Sequence, residues 1–98
     1  MRQATVVVPW REGLHLGRAA NLVRLGREFR SSIVLRCGGK VADLRSILSL
    51  LSLCATMGST LVIEAAGEDE HDAARAVEQV FSHTAAGNAP APAARVNL

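Results

Sequence analysis

His15 stands in the most chemically suggestive setting of this 98-residue chain. It follows Gly13-Leu14 and directly precedes a stretch, about Leu16 to Phe29, where Ala19, Leu22, Val23, Gly26 and Phe29 recur at helical spacing. This places the imidazole at or beside a helix N-cap. The first N–H groups of a helix have no internal acceptors, and the macrodipole puts partial positive charge at that end. Together they form a site for an anion, a phosphoryl group above all. An unprotonated imidazole there has a lone pair for attack on phosphorus. The alternative role for His15 is capping or packing.

Two neighbours strengthen the chemical reading. A cation in the first helical turn is unfavourable unless an anion visits, and Arg18 is such a cation. Gly17 leaves the backbone open to close approach. Leu16, Gly17 and Arg18 can thus present two N–H donors and a guanidinium to one phosphate. Ser46 precedes a second apolar run and suits an N-cap. A phosphate on Ser46 would meet a favourable helix end and alter partner binding without unfolding the domain. Leu48 lies off the inner stripe of Ile47, Leu50, Leu51 and Cys54, which makes it a candidate exposed contact. His71 and His83 read as surface residues. No HxxxH or HxH spacing points to a metal, and no cofactor is expected.

The composition bounds what else the chain can be. Its hydrophobic fraction of 49% is enough for one core, and its length for one domain. Aromatics make up 3%, too few for a base-stacking platform, and a net charge of +2 falls short of a strongly basic patch, so no nucleic-acid partner is expected. Residues 1–45 carry nine basic and three acidic side chains, and residues 46–98 two basic and six acidic. That asymmetry suits a face meeting an anionic partner. Cys37 and Cys54 form no CxxC pair and read as buried free thiols. No apolar run is long enough for a signal h-region or a membrane span, so the expectation is a cytoplasmic protein without membrane insertion.

Four strands and three helices can be read around these residues. Ala4–Val8 is a β-branched run stopped by Pro9, and Pro9–Leu14 is a loop. Ile33–Cys37 and Lys40–Asp43 flank Gly38-Gly39, a hairpin signal. Ser46 or Asp43 caps a second helix that stops at Gly58, and Thr60–Ala66 is the fourth strand. Glu68-Asp69-Glu70 opens a third helix with Ala73, Ala76, Val77, Val80 and Phe81 on one face. The order β-α-β-β-α-β-α predicts an α+β fold, a four-stranded antiparallel sheet with three helices on one face. Residues 85–98 carry two prolines and few large apolar groups, and read as a flexible tail outside a domain of residues 1–84.

These residues resemble a known family. Gly13-Leu14-His15 before a helix, Ala19-Ala20-x-Leu22-Val23, Phe29, Ser32, Gly39-Lys40, Arg45-Ser46-Ile47-x-Ser49-Leu50-Leu51-Ser52-Leu53, Gly58 and Ala66-Gly67-Glu68-Asp69-Glu70 are similar to HPr, the histidine-containing phosphocarrier of the bacterial phosphoenolpyruvate:sugar phosphotransferase system. The resemblance spans residues 1–84. It implies the HPr-like open-faced β-sandwich. It also implies that His15 takes a phosphoryl group on Nδ1 from phosphorylated enzyme I and passes it to an enzyme IIA. In many bacteria the serine matching Ser46 is phosphorylated by HPr kinase/phosphorylase. By the same resemblance Leu16, Ile47, Leu48 and Leu51 form the partner surface. A monomer is expected, and since phosphoryl transfer needs mainly positioning and charge, a carrier with no independent turnover. The family usually reads G-L-H-A-R-P-A, whereas this chain has Gly17 in place of the arginine and Arg18 in place of the proline. Proline pre-organises a first turn, so a looser phosphate cradle is expected. The alternative is a regulatory paralogue that acts through Ser46-controlled protein binding with weak or no phosphotransfer.

Overall fold

The computed structural model describes residues 1–82. His83 and the expected tail at 85–98 lie outside the described residues. The elements are β1 (Arg2–Val7), α1 (Leu16–Gly26), β2 (Ser32–Cys37), β3 (Lys40–Asp43), α2 (Ile47–Ser52), β4 (Thr60–Ala66) and α3 (Glu70–Ser82). The strands form one antiparallel sheet in the order β1-β4-β2-β3. This is the open four-stranded sheet with three helices that the element order predicts.

Period-two alternation divides the sheet into two faces. Ile33 and Leu35 of β2, Ala42 of β3 and Leu61, Ile63 and Ala65 of β4 are buried. Leu22 of α1, Leu50 of α2 and Val77 and Phe81 of α3 cover them. The other face carries Val34 and Val62 beside a polar cluster, in which the Glu64 carboxylate accepts from Gln3 Nε2 at 3.0 Å and from Arg36 Nε at 2.8 Å.

Several element ends differ from the sequence reading for identifiable reasons. β1 runs from Arg2 to Val7 because Arg2–Val7 pair residue for residue with Ala65–Thr60. Val8 lies just past the ladder, fully buried. α1 ends at Gly26, three residues before Phe29, and Phe29 is half-buried. α2 ends at Ser52. Past that end Cys54 adopts φ +54, which turns its side chain outward, so the core position goes to Leu53. The expectation of two buried thiols is therefore corrected: Cys54 is exposed and Cys37 half-buried. On α3 Ala74 is buried and Ala76 only partly so.

The loop between α1 and β2 is clasped to the start of α3. Asp69 accepts from Ser31 Oγ at 2.6 Å and from the Ser31 and Arg30 amides at 2.9 Å each. The Ser31 hydroxyl, then the Arg30 amide, hold the Asp69 carboxyl below the usual aspartate range. A carboxylate lowered by folding adds stability above its unfolded pKa and loses it as pH falls through the folded value. Asp69→Asn should thus lower the urea midpoint at neutral pH, and the deficit should shrink as the solution is acidified below the aspartate range. A deficit constant with pH would show that the clasp does not depend on the charge.

Candidate functional site

His15 is the N-cap of α1, with extended backbone at φ −105° and ψ −172°. Two backbone bonds fix its approach: the Leu14 amide donates to Ala55 O at 3.0 Å and the His15 amide to Gly13 O at 3.2 Å. Gly13 has φ +74°, a left-handed conformation that favours glycine. A Cβ there would fall 2.4 Å from Ala55 O, so the close passage of this loop past residues 55 and 56 needs a glycine as well. Leu14 is buried beneath the turn while the His15 ring is exposed.

The ring is turned toward the helix end. Nδ1 accepts from the Gly17 amide at 3.4 Å, a long bond. The first intrahelical bond comes later, from the Ala19 amide to His15 O at 2.9 Å. The amides of Leu16 and Arg18 are thus open donors at the helix end, and the Gly17 amide is held only by its long bond to Nδ1. No acidic side chain occupies this first turn. An anion held at Nδ1 would meet inward-pointing N–H groups and the positive end of the dipole.

Glu12, His15, Gly17, Arg18 and Asn21 line one open cleft of about 440 Å³. Sequence reasoning singled out His15, Gly17 and Arg18 and missed Glu12 and Asn21, for which nothing in the pattern gives a signal. Leu16 is 61% exposed beside the cleft. Gly17 needs no unusual φ, and a Cβ there would rest 3.6 Å from His15 Cε1, ordinary contact. Gly17→Ala should therefore stabilise the protein by about 0.4–1 kcal/mol through the unfolded chain, read as a raised urea midpoint. A lowered midpoint would show that the site relies on glycine.

Arg18 does not point freely into solvent. Its guanidinium lies over the Trp10 ring, 4.5 Å from the centroid. Trp10 is fully buried and packs against Phe81 of α3, with ring centroids 4.9 Å apart and planes at 34°. Magnitudes explain why this cation is tolerated. An arginine near a helix N-terminus costs about 0.3–1 kcal/mol. Stacking on a desolvated tryptophan face returns up to about 2 kcal/mol. The indole is itself a costly core residue, because its Nε1–H is buried without a hydrogen-bond partner, which typically costs ~1–3 kcal/mol. The sequence places Trp10 in a loop and gives no hint of this contact.

The second predicted feature is also at a helix start. Ser46 caps α2, and its Oγ accepts from the Ser49 amide at 3.1 Å. Asp43, the other candidate cap, instead accepts from the Arg45 amide at 2.9 Å. Arg45 reaches away from Ser46 to the carbonyls of Phe29, at 2.8 Å, and Ser31, at 3.2 Å. Leu48 is 79% exposed, while Ile47 and Leu51 are half-buried. Leu16 and Leu48 belong to helices that pack on each other. His71 is exposed on α3, away from the cleft lining.

Comparison with known proteins matches this geometry to one family. The family model described as the PTS HPr component phosphorylation site matches residues 2–83. The chain is similar to the phosphocarrier protein HPr of Xylella fastidiosa strain 9a5c, at 30% identity over 83 residues, covering 85% of this chain and 93% of that protein. Its structure is similar to that of HPr-C-His from Thermoanaerobacter tengcongensis, with a TM-score of 0.80 and 28% identity, covering 84% of this chain and 92% of the other. It is also similar to the catabolite repression protein Crh of Bacillus subtilis, described as a swapped dimer, with a TM-score of 0.68 and 32% identity, covering 84% and 94%.

Proposed function

The chain belongs to the HPr family of phosphotransferase-system phosphocarriers, and on that premise we propose that His15 is its phosphoryl acceptor. The observation that carries the reading is the exposed His15 ring, whose Nδ1 faces the amide end of α1. In the forward step the Nδ1 lone pair attacks phosphorus on phosphorylated enzyme I. An N–P bond forms at His15 as the donor's bond to phosphorus breaks. Phosphoryl oxygens take over the Leu16 and Gly17 amides, and the Arg18 guanidinium balances the added charge. Transfer to an enzyme IIA reverses these changes. Little side-chain chemistry is needed, because positioning and charge do most of the work in phosphoryl transfer. The protein would turn over nothing alone.

Leu16, Ile47, Leu48 and Leu51 supply the apolar contacts to enzyme I and enzyme IIA in this reading. The protein works as a cytoplasmic monomer, and its domain ends near residue 84. Phosphorylation of Ser46 by an HPr kinase/phosphorylase would put charge beside that surface and slow transfer. The test is incubation with phosphoenolpyruvate and enzyme I, followed by intact mass. One acid-labile phosphoryl unit per chain is expected, and its absence would refute the carrier role.

The likeness to Crh favours a second reading. A regulatory protein would use Ser46 phosphorylation to control binding, with Gly17 and Arg18 marking a weakened transfer site. It would show acid-stable phosphate on Ser46 and no turnover at His15.

A further inference from the structure

We propose that Trp10 is a positioning residue for phosphoryl transfer: its buried indole face holds the Arg18 guanidinium at the rim of the His15 cleft. This rests on the carrier reading of His15 and adds a residue to it. Three observations meet at Trp10. Its ring carries Arg18 on one side, 4.5 Å from the centroid. Phe81 of α3 braces it, 4.9 Å away. Its Nε1–H is buried with no acceptor, so an indole is an expensive way to fill this space, and a smaller apolar side chain would avoid that unpaired group. What the indole adds over such a residue is a broad electron-rich face, and Arg18 lies on that face.

Stacking also leaves the guanidinium fit for an anion. The ring attracts the cation through its quadrupole and offers no hydrogen-bond acceptor oxygen, so the guanidinium keeps N–H donors for an anion. Arg18 makes no hydrogen bond or ion pair with another described residue, and it lines the same cleft as His15. The side chain is therefore held by the ring with donors unspent. An arginine at position 18 leaves the helix about 100° further round than one at position 17, so on a bare helix its direction would be set by chance rotamers. Trp10 removes that freedom and brings the charge back to the cleft. Glu12, which lines the same cleft, makes an ordered cation more valuable when a phosphoryl group enters.

The test is a double-mutant cycle on the rate at which enzyme I phosphorylates the protein, with far-UV circular dichroism to verify folding. Arg18→Ala should slow acceptance roughly tenfold, equivalent to about 1.4 kcal/mol. Trp10→Leu should slow it similarly, and the double variant should lose little more than either single one. Trp10→Phe, which keeps an aromatic face and the apolar bulk, should restore most of the rate; it also keeps the test decisive if Trp10→Leu does not fold. Losses in the double variant that multiply, or equal rates for folded Trp10→Leu and the unaltered protein, would overturn the positioning role. So would a Trp10→Phe rate unchanged by adding Arg18→Ala. No adduct on the unaltered chain would instead overturn the carrier reading itself, and this inference with it.

Discussion

Gly13→Ala should unfold the protein at a much lower temperature and blunt phosphoryl acceptance at the same time. The added Cβ meets Ala55 O at 2.4 Å and the Thr56 Cα at 3.0 Å, both backbone atoms that no side-chain rotation can relieve. It would also have to hold φ +74°, which costs an L-residue roughly 1–2 kcal/mol before any clash. Together these should cost about 3 kcal/mol, a drop in Tm of roughly 12–24 °C for a domain of this size. If the loop moves away instead, the bond from the Leu14 amide to Ala55 O at 3.0 Å is lost and His15 is no longer presented at the helix end. Calorimetry and the acceptance assay should therefore fall together. A variant with unchanged Tm would mean that the passage past residues 55 and 56 is looser than the geometry indicates.

His15→Asn should show the opposite pattern, with carriage abolished and stability kept. The His15 ring is exposed, and its one cap bond is long at 3.4 Å. Asparagine is among the preferred N-caps, so the stability read from urea unfolding should stay within about 0.5 kcal/mol of the unaltered protein or rise. It offers no ring nitrogen to phosphorus, so no acid-labile phosphate should form. His15→Ala should also carry nothing, while losing some cap stability. The contrast separates capping from chemistry. Retained acid-labile phosphate in His15→Asn would place the acceptor elsewhere, and a large stability loss would make His15 chiefly structural.

The parts of this molecule that are legible in its sequence are those governed by local rules. β3 and β4 can be read to the residue because Gly38-Gly39, Gly58 and Gly67 punctuate them. The placement of His15 at a helix start follows from the apolar spacing of Ala19, Leu22 and Val23, all buried in α1. Ser46 as the cap of α2 follows from its residue type and the apolar run after it. What escapes the sequence depends on long-range packing. Cys54 fits a helical stripe by spacing alone, yet α2 stops at Ser52 and the next turn exchanges Cys54 for Leu53. Trp10 sits in a loop by every local criterion, and its burial depends on Phe81, 71 residues later. Arg18 reads from the sequence as a cation awaiting an anion, and its contact with Trp10 escapes notice because that face comes from outside its own helix. The same long-range contact makes the departure at Gly17 and Arg18 intelligible, since the charge moves one position along and acquires a support.

Phosphoryl carriage by this protein turns on which atom receives phosphorus. Phosphorus and nitrogen NMR on ring-labelled protein, after reaction with phosphoenolpyruvate and enzyme I, reads this directly. A single N–P bond at Nδ1 of His15 is the predicted result. A bond at Nε2, phosphate on His71, or phosphate confined to Ser46 would contradict it.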